Sequence, residues 1–110
     1  MEMYTLDKKD ETVVIRLEQS RIDVKSTRQL SEALSSIEDT FQRYVIDLSN
    51  VTHMDSSAVG TLVAYKQRVS KNGKRVILCN LSAFLQEIFN ILRMDTVFEI
   101  TSDLETALQS

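Results

Sequence analysis

The chain has 110 residues, of which 43% are hydrophobic, a size and composition that fit one folded domain and are too apolar for a disordered segment. Thirteen basic and sixteen acidic residues leave a net charge of -3, and without tryptophan or a dense basic run the sequence predicts no direct nucleic-acid binding. One cysteine, Cys79, excludes an internal disulfide and argues against a metal cluster, and nothing calls for a cofactor.

The N-terminal "MEMYTLDKKDE" lacks the basic region and apolar run of a signal peptide, and no segment reaches the ~18 apolar residues of a membrane span. A cytoplasmic protein without membrane insertion is expected. "MYTL" and "TVVIRLEQ" read as two strands joined across the charged turn "DKKDE". In "SRIDVKSTRQLSEALSSIED" the period changes: Leu30, Ala33, Leu34 and Ile37 recur at i, i+3, i+4 and i+7 and make a helical stripe. Ser26 and Gln29 have the spacing of a capping box.

"RYVIDLSNV" returns to a strand dense enough in apolar residues to be covered on both faces. A helix over 56–71 follows, with Val59, Leu62, Val63 and Val69 towards the core and Asn72–Gly73 as its stop. "KRVILCNL" is a buried strand that would keep Cys79 inert. Next comes a helix led by Ser82 and striped by Phe84, Leu85, Ile88, Phe89 and Leu92; Phe84, Ile88 and Phe89 read as core packing, with a groove for a partner helix as the alternative. "TVFEI" closes the sheet, and Ser102 with Glu105 forms another possible capping box before a helix through Leu104, Ala107 and Leu108. Alternating strands and helices predict an α/β fold, with about four to five strands in a mixed sheet and about four helices, all in a single domain over residues 1–110.

The junction "HMDSS", at a strand end and a helix start, stands where function gathers in such sheets. From the residues alone, three roles stay open. Asp55 and the serines can cap the helix. A serine can serve as a nucleophile with His53, the one histidine, although no Gly-x-Ser-x-Gly elbow accompanies it. A serine there can also be phosphorylated, gaining roughly -1.5 to -2 charges beside the positive end of a helix dipole and beside Asp55. His53 without a second histidine or a cysteine pair is no metal centre, and the cluster "YKQRVSKNGKR" reads as a solvated helix face or, if it flanks Ser56, as a surface for an acidic partner.

The segment "VIDLSNVTHMDSSAVGTLVAYKQ", with the order of elements, resembles the anti-sigma factor antagonists of the STAS domain family. "RID" and "LSAFLQEIFNILRMDTVFEI" extend the likeness to roughly Met3–Leu108. The resemblance implies a non-enzymatic switch in a bacterial partner-switching pathway. Unphosphorylated, it would bind and sequester a serine kinase/anti-sigma factor of the histidine-kinase-like ATPase type. Phosphorylation of Ser56 would release that partner, and a PP2C-type serine phosphatase would reset the switch. Asp23, Asp55, Ser56 and Ser57 would form the partner-binding rim, and the free protein would be a monomer. The alternative is a non-switching STAS subunit of a larger complex, such as a lipid-transport or sensor scaffold. Ala58, Val59 and Gly60 stand where the family usually has Gly-Leu-Gly, no glycine precedes the aspartate of "RID", and Arg93 stands where the family often has glycine.

Overall fold

A computed structural model describes residues 2–110. A hairpin opens the chain: β1 (Tyr4–Lys9) runs antiparallel to β2 (Thr12–Leu17), with Thr5 opposite Arg16 and Lys9 opposite Thr12. The turn is tighter than the charged stretch suggests. Asp7, Lys8 and Lys9 belong to the strand, and Asp10 supplies the left-handed residue, φ 54°, that a short side chain tolerates. Because β1 is an edge strand, its charged outer end can remain in water.

Three parallel strands follow β2 across the sheet: β4 (Arg43–Asp47), β6 (Arg75–Cys79) and β7 (Glu99–Thr101), in the order β1-β2-β4-β6-β7. The helices α1 (Thr27–Ser35), α2 (Ser56–Ser70) and α3 (Ala83–Ile91) connect them. Period-two alternation divides the strand residues between the two faces. Val13, Ile15, Leu17, Tyr44, Ile46, Val76 and Leu78 pack with Leu30, Leu34, Leu62, Leu85 and Phe89 of the three helices in the main core. Val14, Val45, Ile77 and Cys79 line the other face, which α4 (Leu104–Gln109) covers through Ala107. The dense strands are therefore covered on both faces, as their composition predicts.

A second, two-stranded sheet lies beside the main one. In it β3 (Arg21–Ile22) pairs in parallel with β5 (His53–Met54), placing Arg21 opposite His53 and Ile22 opposite Met54. Ile22 and Met54 point into the core, and the alternation sends their neighbours outward. Strands of two residues carry no readable period, and the sequence reading passes over both.

Several predicted ends shift. Ser26 precedes α1, but its side chain makes no capping bond; its backbone is already in the helical region, because a turn at Asp23 supplies the entry instead. Ile37 is buried beyond the end of α1 rather than within it. α4 is capped by Asp103, whose carboxylate accepts the Thr106 amide at 2.7 Å, not by Ser102. The last strand starts at Glu99, since Met94–Thr96 form a short 3-10 turn and Phe98 fills the core ahead of the strand. Ser82 does cap α3, accepting the Leu85 amide at 3.2 Å.

Candidate functional site

The site is built at the carboxyl end of the β3–β5 ribbon. One residue beyond the paired Ile22 and Met54, the two strands deliver Asp23 and Asp55 to the same rim. Asp55 has extended backbone and caps α2: its Oδ1 accepts the Ala58 amide at 3.0 Å and the Ser57 hydroxyl at 2.6 Å. Its Oδ2 accepts the Val24 amide at 2.9 Å, from the loop between β3 and α1. The Ser57 hydroxyl, followed by the Ala58 and Val24 amides, holds the Asp55 carboxyl below the ordinary carboxylate range.

Asp23 organises the neighbouring loop. Its Oδ1 accepts the Lys25 amide at 3.0 Å and its carbonyl accepts the Ser26 amide at 2.8 Å. This turn leaves the apolar side chain of Val24 67% exposed while the Val24 backbone is tied to Asp55. The four predicted rim residues are thus brought together, with Asp23 joined to the others through the backbone of Val24.

The two serines differ. Ser57 is half-buried and its hydroxyl is donated to Asp55, while its carbonyl accepts the Thr61 hydroxyl at 3.0 Å. Ser56 is exposed at the first helical position, and its hydroxyl takes no part in these bonds. The free hydroxyl at the rim is therefore that of Ser56. Ala58, where the likeness led to glycine, has its methyl fully buried in the main core, so the extra carbon is accommodated inward and leaves the rim unchanged.

His53 lies on the outward side of β5. Its Nδ1 shares a hydrogen bond of 2.9 Å with the Thr52 hydroxyl, and its ring lies 4.9 Å from that of Phe84. It makes no hydrogen bond to Ser56 among the described residues, so the base that a serine nucleophile needs is not in place. Phe84 corrects the core stripe read for α3: only Leu85 and Phe89 are fully buried, Phe84 is 44% exposed and Leu92 lies at the surface. Phe84 stands at the edge of the stripe in the first turn, against the His53 ring, and Leu92 lies past the last helical residue, Ile91, so neither is carried into the core.

Asp47 is the aspartate of "VIDLSNV", to which the sequence assigns no role of its own. It is buried at the end of β4, where its carboxylate accepts Arg16 Nε at 3.0 Å, the Ser49 amide at 2.9 Å and Asn80 Nδ2 at 3.0 Å. The knot ties the carboxyl ends of β2, β4 and β6 just before the chain leaves for β5. A lone carboxylate inside an apolar run is the sequence signal for such a knot.

The basic cluster "YKQRVSKNGKR" does not flank Ser56. Lys66 lies ten residues along α2, about 15 Å at 1.5 Å per residue, and Arg68 stacks over the Tyr65 ring at 5.1 Å. Among the described residues, no group of three or more His, Cys, Asp or Glu side chains is placed to hold a metal ion, and no helix is long and apolar enough to cross a membrane.

The STAS domain model matches residues 3–107. The anti-sigma-B factor antagonist of Bacillus subtilis (strain 168) is 32% identical over 88 residues, covering 80% of this chain and 81% of that protein. An anti-sigma-factor antagonist (STAS) domain protein from Planctomyces limnophilus has a similar structure, with a TM-score of 0.85 at 20% identity over 96% of this chain and 94% of that one. The Bacillus cell fate determinant SpoIIAA, solved in its phosphorylated form, matches with a TM-score of 0.68 at 23% identity over 96% of each chain.

Proposed function

The chain belongs to the STAS domain family, and from that premise we propose that it is a phosphorylation-controlled anti-sigma factor antagonist. The observation that carries this reading is the state of the Ser56 hydroxyl: exposed on the first turn of α2, between Asp55 and Ser57, both of which are engaged with each other. The relative from Bacillus subtilis is an anti-sigma-B factor antagonist, and SpoIIAA exists in a phosphorylated form, which supports a modifiable serine on this fold.

In this reading the unphosphorylated protein binds a serine kinase/anti-sigma factor of the histidine-kinase-like ATPase type through a rim that includes Asp23, Asp55, Ser56 and Ser57. The kinase then phosphorylates Ser56. A phosphoserine there meets the free N–H groups and positive dipole end of α2, so the fold tolerates it. It also adds roughly -1.5 to -2 charges beside Asp55 in a surface that must be desolvated to bind, which breaks the complex. A PP2C-type phosphatase restores the hydroxyl. The protein acts as a binding module and kinase substrate, not as an enzyme.

The test is intact mass and phosphosite mapping on protein isolated from its native cells, beside Ser56→Ala. A phosphate on Ser56, absent from the variant, is expected. A Ser56 unmodified under every growth condition would return the junction to a helix cap.

A further inference from the structure

Gly60 has no reason to be glycine inside this chain. A glycine within a helix is unfavourable relative to alanine because it carries more backbone entropy into the unfolded state. It is retained where the backbone must be left-handed or where another group approaches closely. Gly60 lies in the interior of α2, and the left-handed glycine of this protein is Gly73, with φ 75°. A Cβ placed on Gly60 meets nothing within 4 Å, and the residue is exposed. Neither backbone geometry nor packing asks for the missing carbon.

Its position supplies a reason outside the chain. Gly60 follows Ser56 by four residues, one turn along the same face of α2 and about 6 Å along the axis. An enzyme that phosphorylates Ser56 must bring its reacting phosphate to about 3–3.5 Å from the hydroxyl, so its surface necessarily lies over this face. A contact patch of ordinary size, about 800 Å² per partner, extends well beyond 6 Å from its centre. Beside Gly60 runs an open groove of about 290 Å³ between α1 and α2, bordered by Ser31, Leu34, Ser57 and Thr61.

We infer that a backbone segment of the serine kinase crosses α2 at Gly60, and that the absent Cβ is a requirement of the phosphorylation complex rather than of the fold. This rests on the reading of Ser56 as the phospho-acceptor. The surface makes Gly60 a specificity-determining residue: a partner whose backbone closes onto it is accepted, and a methyl group there, costless to the free protein, obstructs that partner.

The experiment measures initial rates of phosphate incorporation from radiolabelled ATP into purified wild-type protein, Gly60→Ala, Gly60→Leu and Ser56→Ala, using desalted extract of the native cells as the kinase source. Thermal midpoints are recorded for the same four proteins. Gly60→Ala is expected to melt about 4 °C higher, because alanine is the better helix former, yet to be labelled at least tenfold more slowly. Gly60→Leu, similarly helical, is expected to be slower still, as a steric contact requires and a mere gain in helix stiffness does not. A rate for Gly60→Ala within twofold of wild type overturns the inference, and so does a lowered midpoint, which would give the glycine a role in the fold. If wild-type protein is labelled no more than Ser56→Ala, the phospho-acceptor reading itself fails and takes this inference with it.

Discussion

Asp55 and Val24 are 31 residues apart in sequence, yet the Asp55 carboxylate accepts the Val24 amide at 2.9 Å with one oxygen and caps α2 with the other. One side chain thereby fixes both loops of the rim, the one that presents Ser56 and the one that presents Asp23 and the exposed Val24. Asparagine keeps one carbonyl oxygen and replaces the other with a donor, so it can cap α2 or hold Val24 but not both. In Asp55→Asn the first turn of α2 should keep its protection, since asparagine caps well. Hydrogen exchange at the Val24 amide should accelerate severalfold while that at Ala58 changes little. Equal acceleration at both would show that the two loops are not separately held.

Ser56 makes no bond that the fold depends on, which separates its stability from its chemistry. Ser56→Ala should change the free energy of unfolding by no more than about 0.5 kcal/mol, the range of exposed surface positions. Ser56→Asp should lie equally close to wild type, because about 0.3–1 kcal/mol gained from the helix dipole is opposed by the Asp55 charge. Denaturant titrations check both. Against these small shifts, Ser56→Ala should remove all phosphate from the protein in its native cells.

The main sheet and the three large helices were legible because each contains at least one full hydrophobic period, as in Leu30–Leu34 or Val76–Leu78. The β3–β5 ribbon was not, since Arg21–Ile22 and His53–Met54 are too short to alternate. The composition at Asp55–Ser57 marked the junction and the resemblance singled out Ser56, but sequence could not tell which hydroxyl is free. That depends on the 2.6 Å bond from Ser57, a tertiary fact. Capping spacing misled twice: at Ser26, where the turn at Asp23 already sets a helical backbone and the side chain makes no capping bond, and at Ser102, where the next residue, Asp103, caps α4. Phe84 was misassigned because helical period identifies a stripe but not how much of it a neighbour covers.

Asp47 should govern part of the acid stability. Burial pushes its carboxyl upward, but the hydrogen bonds from Asn80, Ser49 and Arg16 outweigh burial and hold it below the ordinary value. A carboxyl depressed in the folded state contributes stability above its unfolded value, about pH 4, and loses it as pH falls through the folded value. Asp47→Ala, which leaves Asn80 and Arg16 without their partner, should cost about 2–4 kcal/mol at pH 7. The gap from wild type should narrow as pH drops below about 4, and chemical denaturation at pH 7, 5 and 3 measures it.

Cys79 is fully buried on the face that α4 covers, and burial, followed by the nearby Asp47 and Asp103 charges, pushes its thiol up to about 12. The thiolate that reacts with alkylating agents is therefore scarce as well as hidden. Iodoacetamide at pH 8 should leave the folded protein unmodified over hours and alkylate it within minutes in denaturant. Rapid native labelling would mean that α4 detaches readily from the sheet.

Arg93 follows α3 in the left-handed region, at φ 59° and ψ 33°. The conformation costs a residue with a Cβ roughly 1–2 kcal/mol, and unlike Asp10 or Asn80, arginine has no short polar side chain to relieve it. It also explains why glycine is common here in sequences that this chain resembles. Arg93→Gly removes the strain but adds backbone entropy to the unfolded state, a loss of about 0.4–1 kcal/mol. The net effect should be a gain of about 0.5–1 kcal/mol, visible as a higher denaturation midpoint with an unchanged slope. Because Arg93 is exposed and makes no ion pair among the described residues, no lost contact offsets the gain. A destabilised Arg93→Gly would show that the arginine side chain contributes more at the end of α3 than its backbone strain costs.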